Sequence, residues 1–155
     1  MYKFNFLNYF KDVVNHNKKK IGLIDIDDKK YTFNFLDHES DLLATHLEFY
    51  KNKHKIVAIE SDKNVNTIIS FLACLKVGLP YFFLDDNLPI KRVNDILKKT
   101  KCKLSISKKK ISNLNHIDLK KLKKINKVSY TTCTSDNIAY VMFTSGSTGS
   151  PKGVM

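Results

Sequence analysis

Between residues 56 and 107 the chain switches hydrophobic period repeatedly, and that switching narrows the available folds more than any other feature. Ile56 to Glu60 is a short run rich in β-branched side chains, the length a strand fills. Val65, Ile68, Ile69, Leu72 and Ala73 then recur at the three- and four-residue spacing of one helix face, and Gly78 stands where such a helix would stop. Tyr81 to Leu84 returns to strand character. Pro89 opens another helix at a position where its missing N–H costs nothing, with Val93, Ile96 and Leu97 as its apolar side. Lys103 to Ser107, His116 to Leu119 and Ile138 to Phe143 supply further strand candidates. Strand-helix-strand repetition with short connections predicts an α/β fold, a mostly parallel, doubly wound sheet with flanking helices.

Before residue 56 the pattern differs. From Tyr2 to Asn17, the residues Phe6, Phe10, Val13 and Val14 have helical spacing. Ile21 to Ile26 and Tyr31 to Phe33 read as a small hairpin around the turn Asp27-Asp28-Lys29-Lys30. Thr32 or Asn34 can cap the next helix, in which Leu36, Leu43 and Leu47 share a face and which ends near Lys51 to Lys53. Lys108 to Ser135 is the least regular section and reads as surface loop with a short helix. At 155 residues and 43% hydrophobic content, the chain suits one globular unit with a sizeable core.

The formal charge of +12 comes almost entirely from lysine, with Arg92 the only arginine. The densest region, Lys108 to Lys110 with Lys120, Lys121, Lys123 and Lys124, has no interleaved aromatics for base stacking. It reads as a solvated face; a lysine-rich nucleic-acid binder is the weaker alternative and predicts steeply salt-dependent affinity. Cys74, Cys102 and Cys133 form an odd set without Cys-x-x-Cys spacing, which argues for reduced thiols, as small buried or semi-exposed side chains, in a cytoplasmic protein. The N-terminus lacks the apolar core of a signal peptide, and the stretch from Ile68 to Leu75 is too short to span a bilayer, so no membrane partner is expected. The histidines (His16, His38, His46, His54, His116) are scattered and read as exposed. Asp85-Asp86 reads as a turn after a strand. No His/Cys/Asp/Glu group has metal-ligand spacing.

Function concentrates in Thr144 to Gly153, directly behind the apolar run Ile138 to Phe143. Thr144, Ser145, Ser147, Thr148 and Ser150 supply hydroxyls, Gly146, Gly149 and Gly153 let backbone N–H groups approach an anion, and Lys152 adds charge. That is phosphate-binding chemistry. A Walker loop is excluded, because Pro151 stands five positions after Gly146 and Gly153 follows Lys152. A dinucleotide fingerprint is excluded too, since Gly146 and Gly149 supply only its last pair. Because ligands of doubly wound sheets lie beyond the carboxyl ends of the strands, the loop is expected to leave such an end of a fifth strand.

The string from Tyr140 to Gly153 resembles the signature loop of the AMP-forming, adenylate-forming enzymes: acyl-CoA synthetases, luciferase-type enzymes and the adenylation domains of nonribosomal peptide synthetases. Tyr140, Phe143, Thr144, Ser145, Gly146, Ser147, Thr148, Gly149, Pro151, Lys152 and Gly153 match that pattern. Leu75 to Asp85, continued by Pro89 and Arg92, is similar to a second segment of adenylation domains, and Tyr31 to Leu36 to an earlier one. Phe83, Pro80, Asp86 and Phe35 depart from those patterns, and none of them is a phosphate contact.

The resemblance implies that residues 1–155 are an incomplete N-terminal portion of a large adenylate-forming domain. A helix and small hairpin occupy 1–33, strand-helix units 55–143, and the phosphate-binding loop 144–153. It implies ATP-dependent activation of a carboxylate as an acyl-adenylate, with release of pyrophosphate and later transfer to a thiol, of CoA or of a carrier protein. Thr144, Ser145, Ser147 and Thr148 are then donors to the departing phosphates, Gly146 and Gly149 the backbone cradle, and Lys152 the charge. Mg²⁺ takes part with ligands outside this chain, and the principal catalytic residues also lie beyond it, so the isolated chain is expected to be inactive. The Leu-Asp ending of Tyr81 to Asp85, with Pro89 and Arg92, leans toward an amino acid rather than a fatty acid. The alternative is a non-catalytic remnant that binds nucleotide or a partner.

Overall fold

The computed structural model describes residues 5–85, 87–111, 113–122, 137–144 and 151–155. Its centre is a parallel sheet of four strands, β3 (Val57–Glu60), β4 (Tyr81–Leu84), β5 (Leu104–Ile106) and β6 (Asn115–Ile117), in the order β4-β3-β5-β6. Ahead of it come α1 (Phe6–Asn17), the antiparallel pair β1 (Ile21–Ile24) and β2 (Lys30–Thr32), and α2 (Phe33–Lys51). Between its strands run α3 (Val65–Val77) and α4 (Ile90–Thr100), and the chain closes with a second antiparallel pair, β7 (Met142–Thr144) and β8 (Lys152–Val154).

The two crossovers explain the layers. The first, through α3, moves the chain from β3 to its neighbour β4; the second, through α4, moves it back across β3 to β5. Crossovers of one hand that travel in opposite directions must cover opposite faces. Accordingly Val57, Ile59, Tyr81, Leu104, Ile106 and Ile117 face one core with α1, α2 and α3, while Ala58, Phe82 and Leu84 face another with Ile96, Val93 and Leu97 of α4. Alternation along β3 therefore divides the apolar residues Val57 to Ile59 between the two faces, as expected of a strand covered on both sides.

Local chemistry sets the helix limits. Thr32 caps α2, its hydroxyl accepting from Phe35 N–H at 3.2 Å. Leu36, Leu43 and Leu47 are all buried, and burial on this scale stabilises by about 2 kcal/mol per leucine side chain. Gly78 ends α3 in the left-handed region at φ 67°, with its N–H directed at the carbonyls of Cys74 and Leu75; a Cβ there would strain the turn. Lys76 ties α3 to α2: its ammonium lies 2.7 Å from Asp37 Oδ1, 2.8 Å from Asp41 Oδ1 and 2.9 Å from the buried Ser40 hydroxyl.

Several expectations need correction. Pro89 precedes α4 as its cap rather than forming its first residue. On α1 only Phe10 and Val14 are buried; Phe6 and Val13 stay exposed, because the helix meets the core along a narrow stripe. His46, His54 and His116 are half-buried rather than exposed, and His116 Nε2 lies 2.6 Å from the Ser107 carbonyl. Burial, then the nearby Lys53 charge, lowers the His54 pKa. Among the described residues, the expected fifth strand pairs with the parallel sheet through a single bridge, Tyr140 to Tyr81, before residues 142–144 pair instead with 152–154. Asp85 makes the expected turn, accepting from Asn87 N–H at 2.8 Å; Asp86, Cys133 and residues 123–135 of the irregular section lie outside the described residues.

Candidate phosphate site

The terminal hairpin is attached at its start, middle and end. At the start, Tyr81 N–H donates to the Ala139 carbonyl at 3.3 Å and the Tyr81 carbonyl accepts from Val141 N–H at 2.8 Å. In the middle, Phe143 meets Phe82 edge to face with ring centroids 5.8 Å apart. At the end, Pro151 is fully buried and its carbonyl accepts from the Lys99 ammonium at 2.7 Å. Tyr81 is itself largely buried, and its hydroxyl pKa is pushed up to about 12 by that burial, then by the neighbouring Cys74 and Tyr140.

Pairing register decides which side chains share a face. Met142 stands opposite Val154, Phe143 opposite Gly153 and Thr144 opposite Lys152. Directly opposed residues of an antiparallel pair project to the same side. Phe143 turns toward the core, so Thr144 and Lys152 turn away from it, and both are exposed. A hydroxyl donor and an ammonium thus stand side by side where the connecting residues 145–151 begin and end. Of the sequence-predicted site, these two are brought together; Ser145, Gly146, Ser147, Thr148 and Gly149 lie outside the described residues.

The sequence reading missed a second polar feature. Where β3 and β5 part company, a cleft of about 240 Å³ is lined by Glu60, Asp62, Asn66, Ser107, Lys108 and Asp118, among others. Lys108 Nζ lies 2.6 Å from Asp62 Oδ2, and Lys108 N–H donates to Glu60 Oε2 at 2.6 Å. Burial raises the Asp62 carboxyl, but hydrogen bonds from Lys108, the Thr67 hydroxyl and Asn64 N–H, with the lysine charge, outweigh it and leave the pKa below the usual value. This is the crevice at the reversal of strand order, where ligands of doubly wound sheets commonly sit. Of the described loop residues, neither Thr144 nor Lys152 lines it. The signal available in sequence was Asp62 two residues ahead of Asn64, the α3 cap. Among the described residues no group of three or more His, Cys, Asp or Glu could hold a metal, and no helix is long and apolar enough to cross a membrane.

Residues 10–155 match the family described as AMP-binding enzyme. This chain belongs to that family. Over 163 residues it is 32% identical to the nonribosomal peptide synthetase kk1B of Curvularia clavata, with 96% of this chain and 1% of kk1B covered. Over 148 residues it is 34% identical to bacitracin synthase 1 of Bacillus licheniformis, covering 94% of this chain and 3% of the synthase. Among solved structures, the NpsA N-terminal subdomain of Klebsiella oxytoca in complex with 3-hydroxyanthranilyl-AMSN superposes with a TM-score of 0.84 at 23% identity, covering 98% of this chain and 40% of that subdomain chain. This chain thus shares the fold of part of that subdomain and spans a small part of the length of its curated relatives.

Proposed function

We propose that this chain supplies the phosphate-gripping part of an AMP-forming ligase that activates a carboxylate, an amino acid in the reading favoured here, as an acyl-adenylate for later transfer to a thiol. The observation that carries the proposal is the pairing of Thr144 with Lys152, which sets a hydroxyl and an ammonium together at the two ends of a glycine- and serine-rich connection. Membership of the AMP-binding family supports it, as does similarity to synthetases that make peptides without the ribosome. The thiol acceptor is a carrier-protein phosphopantetheine or CoA.

ATP, when bound with Mg²⁺, supplies an electrophilic α-phosphorus and a pyrophosphate leaving group. The chain's own part is to stabilise the negative charge that grows on that leaving group. Thr144, Ser145, Ser147 and Thr148 donate hydroxyl hydrogen bonds, Gly146 and Gly149 allow backbone N–H groups to approach, and Lys152 supplies the cation. Donors already oriented stabilise the transition state more than the ground state. A reducing, cytoplasmic setting suits the free buried thiols Cys74 and Cys102.

Calorimetric titration of inorganic pyrophosphate and of AMP into the parent chain and Lys152→Ala tests this. Pyrophosphate affinity should fall about tenfold, the loss of one charge-assisted contact, while AMP affinity stays within about twofold. Equal pyrophosphate affinity in the two proteins removes Lys152 from the role.

A further inference from the structure

A cation in contact with the described exit of the loop lies outside the loop itself. Lys99 lies in the last turn of α4, where a lysine ordinarily faces solvent or the helix's own terminal carbonyls. Instead its ammonium donates to the Pro151 carbonyl at 2.7 Å, across 52 positions of sequence. That is the length of a strong charge-assisted hydrogen bond.

The acceptor matters because of what it is bonded to. The Pro151 carbonyl belongs to the same planar peptide as the Lys152 N–H, so fixing the oxygen fixes the plane from which Lys152 departs. The proline ring, fully buried, restricts the backbone on its other side. Lys152 then enters β8 opposite Thr144. Without the tether, the Pro151 carbonyl would lose its side-chain partner at the point where the chain re-enters the hairpin, and the backbone from which the Lys152 side chain departs would lose that constraint.

We propose that Lys99 is a positioning residue of the phosphate loop, holding the Pro151–Lys152 peptide so that the Lys152 ammonium and Thr144 hydroxyl face the same ligand, and adding a second cation at the loop's exit. The ligand class is a polyphosphate tail, and the inference rests on the reading of the loop given under Proposed function. It concerns a helix outside the signature string, which the loop's sequence pattern does not reach.

The test is calorimetric titration of inorganic pyrophosphate into the 155-residue parent, Lys99→Met and Lys99→Arg, with amide ¹⁵N–¹H spectra of each. Methionine should weaken pyrophosphate at least about fivefold, and arginine, which keeps charge and donors, should stay within about twofold. In the ligand-free spectra the Lys152 and Gly153 amides should shift in the methionine variant while those of β3 do not. Parental affinity and an unshifted Lys152 amide in Lys99→Met overturn the proposal. Should that variant fail to fold, Lys99→Gln replaces it; its shorter side chain withdraws the donor, so the same loss is expected and parental affinity again overturns it. A parent that leaves pyrophosphate unbound removes the phosphate reading itself, whereas a binding parent with an equally binding Lys99→Met removes Lys99 alone.

Discussion

Phe143 stands directly across from Gly153 in the terminal hairpin, and its ring, together with Val141, crowds the space that a side chain at 153 would enter. A Cβ built there would lie 3.0 Å from Val141 Cγ1 and 3.3 Å from Phe143 Cε1. Position 153 is thus crowded first by Val141 and then by the ring opposite. Gly153→Ala should cost about 1 kcal/mol in the hairpin, the low end for overpacking. Hydrogen exchange is the measurement: faster exchange of the Met142 and Val154 amides with unchanged β3 is expected, and uniform protection across both would contradict the packing argument.

Lys76 carries a different kind of weight. Its side chain is 5% exposed, and its partners Asp37 and Asp41 are 26% and 24% exposed. Lys76→Met leaves two half-buried carboxylates without their cation, and should cost about 2 to 3 kcal/mol, less than a fully buried pair because water reaches the aspartates. Adding Asp37→Asn and Asp41→Asn should return at least half of that loss. Urea unfolding of the single and triple variants decides it; a triple variant less stable than the single one would refute the charge explanation.

Acid stability should depend on Asp62. A carboxyl held below its unfolded value contributes stability above the unfolded value, near pH 4, and loses it as the pH falls through the lower folded value. Asp62→Asn should therefore lower the melting temperature at neutral pH and flatten its decline between about pH 5 and pH 2. Parallel curves for parent and variant would show that Asp62 titrates alike in both states.

The two described thiols should be inert while the chain is folded. Cys74 and Cys102 are buried, and burial raises both pKa values, that of Cys74 strongly. Thiolate is the reactive form, so a Cys133→Ser variant should label with a disulfide reagent only as fast as it unfolds. Rapid labelling in native buffer would mean that the α3 face or the start of β5 opens locally.

Much of the sheet was legible because its signals are local. Gly78 can end a helix in the left-handed region, Thr32 can cap one, and the periodic residues Ile69, Leu72 and Ala73 are buried as their spacing requires. What sequence could not carry was pairing at a distance. Lys152, Gly153 and Val154 have no strand signature, yet they take the hydrogen bonds that a fifth parallel strand was expected to place on the sheet. The Asp62–Lys108 cleft and the Lys99 tether likewise join residues 46 and 52 positions apart by single contacts, and neither leaves a spacing pattern.

Tyr81 gives the architecture one last property. Among the described residues, the backbone hydrogen bonds joining the terminal hairpin to the parallel sheet are the two made by Tyr81. A rocking movement about that point strains those two backbone bonds together with the Lys99–Pro151 hydrogen bond and the Phe82–Phe143 contact, where displacing β4 from β3 would break a ladder. Hairpin mobility and core endurance can therefore be tuned separately: substitutions deep between the helices reset the melting point, while those around Tyr140 alter how the terminal hairpin is hung.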